Sequence, residues 1–171
     1  FRANTLLDRA VNVSMEYLEG DARLPNATLV NTESTSQRFD DDEVWLSLTS
    51  PLKHQLSAAA VKCVDNAMDI RSVITLRWDG ISWWAASSDG PGMCMVANAF
   101  GYDFDNVLGI TGGGGTARSV AAAWSANGGK VKQIGGKRLL DEDGPWNLCD
   151  EEPKLTINFD DDGGDISVRY Q

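Results

Sequence analysis

Two charged side chains and one run of glycines carry the chemistry that this sequence offers. Lys53 follows Thr49-Ser50-Pro51-Leu52, so its amine stands just past the expected end of a short strand. Asp89 opens the run Asp89-Gly90-Pro91-Gly92, the sharpest break in the chain. An amine serves as a general acid or base near neutral pH only where its surroundings lower its pKa from about 10.4. An ionised carboxylate beside it pulls the other way, so the two would work together with a substrate hydroxyl between them. The plainer alternative is a surface lysine and an aspartate capping a helix.

The glycines are Gly112-Gly113-Gly114-Gly115, followed by Thr116-Ala117-Arg118. The spacing Gly112-x-Gly114-x-x-Ala117 lets the backbone turn tightly, lets a diphosphate approach the amides and lets a helix pack close to a sheet. Apolar Val107 to Ile110 reads as a strand before it. The alanine-rich stretch from about Thr116 reads as the helix after it, and a second strand follows the glycine stop at Gly128-Gly129. A helix starting there aims free N–H groups and its positive dipole end at an anion.

These residues need elements to hold them. Asn4 to Glu19 carries apolar residues at helical spacing and stops at Gly20. Val44-Trp45-Leu46-Ser47-Leu48-Thr49 alternates as a strand ended by Pro51. A helix is expected from about Leu52 to Asp69, then strands over Ser72–Trp78 and Ser82–Ala86 around a tight turn at Asp79-Gly80. A helix over Met93–Phe100 leads to the strand at Val107. Helix–strand alternation on both sides of the break predicts α/β architecture with mainly parallel pairing. The tail offers strands at Leu155–Phe159 and Ile166–Tyr170.

Bulk properties narrow the partners. The 171 residues suit one domain or two small lobes, and 42% hydrophobic residues suffice for a core. A net charge of −10 argues against nucleic acid. Lys130, Lys132, Lys137 and Arg138 nonetheless gather in a short stretch, as a local basic pocket for phosphate or as a solvated strand edge. No apolar run is long enough for a membrane span, and no secretory leader is visible. The chain opens on Phe1, as a processed or excised piece would. Cys63, Cys94 and Cys149 are few and scattered, which suits reduced thiols in the cytoplasm and no zinc site.

Other chemistries fare less well. His54 is the only histidine, without a nucleophile motif. Trp83 and Trp84 could stack on a sugar, yet a strand tryptophan is more often core. Asn158, Asp160, Asp162 and Gly163 match the early positions of a calcium loop, yet Arg169 stands where the loop needs a glutamate. No metal is expected. Asn12-Val-Ser14 and Asn26-Ala-Thr28 are glycosylation sequons, and with the dibasic Lys137-Arg138 they keep a secreted glycoprotein as a rival reading.

Taken in order, Ser47-Leu-Thr49-Ser-Pro51-Leu-Lys53, Ser88-Asp89-Gly90-Pro91-Gly92 and Gly112-Gly-Gly-Gly-Thr-Ala-Arg118 resemble the successive signatures of shikimate dehydrogenases. The resemblance runs from about Val44 to Arg138. It implies a substrate-binding lobe over residues 1–91 and a truncated Rossmann-like dinucleotide-binding lobe over 92–171. It also implies NADP-linked interconversion of 3-dehydroshikimate and shikimate. Lys53 and Asp89 would be catalytic, while Ser47, Thr49 and Ser88 would bind a shikimate-like hydroxy acid. Gly112, Gly114, Gly115, Thr116 and Ala117 would hold the diphosphate, with Lys137 and Arg138 in place of the family's usual 2′-phosphate grip. Three departures stand out. No opening strand and serine-rich loop precede Asn4, Ile74 replaces a substrate-contacting asparagine, and the cofactor lobe is short. They favour a non-catalytic relative that binds a nucleotide or a protein as the alternative. A half sheet would also expose an edge to a second copy or a partner chain.

Overall fold

The computed structural model describes residues 44–48, 53, 61–79, 81–160 and 168–170. Their strands form two four-stranded sheets. The first takes β1 (Val44–Ser47), β2 (Val61–Cys63), β3 (Thr75–Trp78) and β4 (Trp83–Ala86) in the order β1-β3-β4-β2. Helix α1 (Asp89–Ala99) then leads to the second sheet. There β5 (Leu108–Thr111), helix α2 (Gly115–Ala126), β6 (Val131–Gly135), β7 (Leu155–Asn158) and β8 (Val168–Tyr170) give the order β6-β5-β7-β8.

The second sheet is the Rossmann-like part. Strand β5 pairs in parallel with β6 on one side and with β7 on the other, and β8 closes the edge antiparallel to β7. Strand β5 is buried on both faces along Leu108, Gly109 and Ile110, as a central parallel strand must be. The chain leaves β5 toward β6 and later returns on its other side at β7. The carboxyl end of β5 is therefore a topological switch point, the place where open α/β sheets hold ligands. Ala117, Val120, Ala121 and Trp124 of α2 pack into the core over this sheet. Trp124 meets Phe104 edge-on at 5.0 Å. Ile70, from the connection between β2 and β3, joins the same core.

The first sheet departs from the mainly parallel expectation. β1 pairs with β3, and β3 with β4, both antiparallel; only β2 runs parallel to its neighbour β4. For β3 and β4 the reason is the short turn between them, which leaves room for a hairpin and none for a crossover helix. Asp79 organises that turn by accepting the N–H groups of Ile81 and Ser82 at 2.9 and 2.7 Å. Leu48, Val73, Leu76, Trp83 and Ala85 form a separate small core here.

Two further expectations are corrected. Of the helix expected over 52–69, residues 52 and 54–60 lie outside the described residues, and 61–63 is a strand. The residues after it close one turn, with Ile70 N–H on Asn66 O, and exit through Arg71 at φ 51°. β-branched Val61 pairs with Trp83 of β4, and this tertiary contact sets its extended conformation. The Asp89-Gly90-Pro91-Gly92 run is the first turn of α1, which begins four residues before the expected start at Met93. Proline is tolerated there because first-turn N–H groups have no partner within the helix. Residues 91 and 92, between which the two lobes were expected to divide, both lie in this helix.

Candidate functional site

The seam between α1 and α2 sets the site. Gly90 is buried where the helices cross, and a Cβ on it would overlap the backbone carbonyl of Ser119. Its N–H, an orphan donor of the first helical turn, finds the Ser119 hydroxyl at 2.8 Å. The Ser87 hydroxyl joins the same oxygen at 2.7 Å. Ser119 lies three residues beyond Thr116, so both occupy one face of α2. Asp89 and Gly90, at the start of α1, meet that face.

There Lys53 and Asp89 come together. Lys53 Nζ donates to Asp89 Oδ2 at 2.7 Å and to Thr116 Oγ1 at 2.9 Å, and Thr116 Oγ1 donates to the same Asp89 oxygen at 2.9 Å. The three polar groups form a triangle drawn from three separate segments. The lysine side chain is 16% exposed and the aspartate 28%, so the pair is largely withdrawn from water yet reachable. Gly115 makes room for it, since a Cβ there would stand 3.2 Å from Lys53 Cβ. The Ser72 hydroxyl lies beside the same spot, fully buried and without a hydrogen-bond partner. An unpaired buried hydroxyl costs about 1–3 kcal/mol, and here it flanks the lysine stem.

The glycine turn sits at the carboxyl end of β5. Gly112 turns at φ 100°, which a side chain resists, and its N–H reaches Gly135 O at 2.8 Å. Gly114 is the N-cap of α2, with extended backbone and no side-chain cap. A Cβ on Gly114 would meet nothing within 4 Å, so open space lies against this cap and the uncapped amides after it. That is a cradle suited to an anion. Ala117 is fully buried at the close helix–sheet contact. Over the other side of the turn, the backbone of Leu139 packs against Gly113, and Arg118 Nε holds Gly113 O at 3.0 Å while pairing with Asp141 at 3.2 Å.

The remaining candidates are distributed as follows. Ser47 ends β1 with its side chain exposed, and Thr49 lies outside the described residues. Ser88 is the N-cap of α1, exposed and without a side-chain cap bond. Ile74, in the position of the expected asparagine, is buried, with its backbone paired to Leu48 and Ala86. Lys137 and Arg138 are exposed just past β6, beside the glycine turn, and the Lys137 N–H donates to the Asp160 carboxylate. Lys130 and Lys132 do not join them in a basic pocket; they pair with Glu151 and Glu152 along edge strand β6. The Glu151 carboxylate also raises the pKa of Lys130.

Trp83 is core, and the Trp84 ring carries Lys62 Nζ 5.0 Å from its centroid, so neither offers a bare stacking face. All three cysteines are free, and burial raises the pKa of Cys63 and Cys94. His54, both sequons, Asp162 and Gly163 lie outside the described residues. Among the described residues no helix is long and apolar enough to cross a membrane. Sequence reasoning missed Ser119, Ser87, Ser72 and the role of the Thr116 hydroxyl. The one available signal was a serine three residues after Thr116 in an otherwise alanine-rich helix.

No family model and no curated protein matches this chain. Solved structures do. A shikimate 5-dehydrogenase from Thermus thermophilus, in complex with NADP(H) and shikimate, aligns with TM-score 0.61 and 22% identity over 82% of this chain and 54% of that one. A shikimate dehydrogenase from Aquifex aeolicus aligns with TM-score 0.58 and 16% identity over 78% and 53%. Another, in complex with NADP+, aligns with TM-score 0.53 and 24% identity over 66% and 38%. The chain thus spans between 38% and 54% of the length of these enzymes. What they share with it is the mixed α/β arrangement built around the parallel β6-β5-β7 strands: the chain has a shikimate-dehydrogenase-like fold.

Proposed function

We propose that this protein is a shikimate-dehydrogenase-like oxidoreductase that interconverts 3-dehydroshikimate and shikimate with NADP(H). The observation that carries the reading is the contact between Lys53 and Asp89, formed against the start of the helix that follows the glycine turn. The amides of Gly115 and Thr116, with open Gly114 before them, hold the cofactor diphosphate. Gly112 shapes the turn, Ala117 keeps the helix close, and Lys137 and Arg138 meet the adenosine 2′-phosphate. When bound, the nicotinamide supplies the hydride for reduction and takes it back in oxidation.

The chain's own groups handle the proton. In the reducing direction the Lys53 ammonium donates a proton to the oxygen of the ring carbonyl as that carbon becomes an alcohol, and water restores it through the exposed part of the side chain. Asp89 accepts a hydrogen bond from a neighbouring ring hydroxyl and turns the substrate toward the amine. Ser47, Thr49 and Ser88 bind further hydroxyls or the carboxylate. The unpaired Ser72 hydroxyl gives the crevice one more polar wall. Three free thiols suit the reducing cytoplasm. Shikimate added with NADP should raise the absorbance of reduced nicotinamide, and Lys53→Ala should abolish the rise.

Buried Ile74 favours a second reading, a relative that binds the nucleotide without turnover. Thermal stabilisation by NADP with no reduction would select it; the linkage amounts to about 2.7 kcal/mol at about 100 times the dissociation constant. Neither turnover nor stabilisation would remove both readings.

A further inference from the structure

We infer that Thr116 is a positioning residue for the Lys53–Asp89 pair, its hydroxyl a one-atom bridge between amine and carboxylate; the inference rests on the oxidoreductase reading above. A threonine in a glycine turn would ordinarily be assigned to the cofactor. Its side chain is engaged elsewhere, accepting from Lys53 Nζ and donating to Asp89 Oδ2, each at 2.9 Å.

The direction of both bonds follows from chemistry. An ammonium only donates and an ionised carboxylate only accepts, so the single hydroxyl proton has one place to go. The oxygen therefore fixes where amine and carboxylate stand relative to each other. Threonine suits this task because its branched Cβ leaves few χ1 rotamers. Gly115 contributes by omission, since without a Cβ it lets the Lys53 stem pass against the start of α2. The seam below completes the device, for Ser119 fastens the amide of Gly90 next to Asp89. Thr116 thus serves two half-sites: its amide faces the diphosphate cradle while its hydroxyl sets the proton-transfer pair. The anion site and the pair then move as one body with α2.

Steady-state kinetics of the full chain with shikimate and NADP test this. Thr116→Val keeps the shape and removes the hydroxyl. Hydrogen bonds to charged groups are worth enough that kcat should fall about tenfold or more, while the NADP dissociation constant stays within about twofold. Thr116→Ser should restore most of kcat, which a purely structural role for the methyl group would not allow. If Thr116→Val fails to fold, Thr116→Ala carries the same comparison against Thr116→Ser. Unchanged kcat in the hydroxyl-free variant overturns the inference while leaving the oxidoreductase reading intact. Weakened NADP binding with kcat retained overturns it too, making Thr116 a cofactor ligand. Absence of turnover in the parent protein overturns both.

Discussion

The amide of Gly90 donates to the hydroxyl of Ser119 at 2.8 Å, across a seam too narrow for any side chain at position 90. This contact fixes α1 against α2 next to Asp89 and Thr116, so the packing seam and the Lys53–Asp89–Thr116 triangle meet at one place. A methyl group at Gly90 would run into the carbonyl of Ser119 and the Cβ of Ala123. Gly90→Ala should therefore destabilise the protein by about 1–3 kcal/mol through overpacking. It should also lower turnover by moving Asp89 away from Lys53. Urea unfolding and initial rates check the two parts; a variant as stable as its parent would show that the seam yields.

Neighbouring glycines in the turn should behave differently. Gly112 has a left-handed backbone, and its Cβ position is taken by the Asp160 carboxylate, so Gly112→Ala should cost about 1 kcal/mol or more of stability. Gly114 has extended backbone and open space, so Gly114→Ala should cost at most about 1 kcal/mol as a poorer cap. The added methyl would nonetheless stand in the cradle. Calorimetry should find NADP-induced stabilisation lost in Gly114→Ala despite near-parental stability without ligand. Retention of that stabilisation would count against the cradle.

Acid should loosen the β3–β4 turn over a defined window. The N–H groups of Ser82 and Ile81, with the Trp84 indole, hold the Asp79 carboxylate down from its ordinary 3.8 to about 2. A depressed carboxylate stabilises the fold above its unfolded value, and that contribution is lost as pH falls through the folded one. Stability should thus decline between about pH 4 and pH 2, and Asp79→Ala should remove this share of the decline. Denaturant midpoints across that range, compared between parent and variant, give the measurement; parallel curves would refute it.

Much of this was legible before any coordinates. The second sheet was readable because a central parallel strand must be continuously apolar, and Val107 to Ile110 is. Gly112 and Ala117 then constrained what followed. The pairing of Lys53 with Asp89 was also within reach, since both sit where strands end. Residues 61–63 went against the expected helix because local composition says nothing of a distant strand edge waiting at β4 for Val61. The Asp-Gly-Pro-Gly run misled because proline and glycine mark both loops and helix starts, and the contact of Gly90 with Ser119 that accompanies the helix here lies far off in sequence. The Thr116 hydroxyl was a third feature out of reach. Its place in the motif pointed to phosphate, while the direction of its side chain depended on how two helices cross.

Lys53 and Thr116 are 63 positions apart, and nothing local brings them together. The proposed site accordingly is complete only where Lys53 has reached the crossing of α1 and α2. Turnover by this chain would then serve as its own certificate of maturation: half-folded molecules are silent, and every molecule that reacts has finished building.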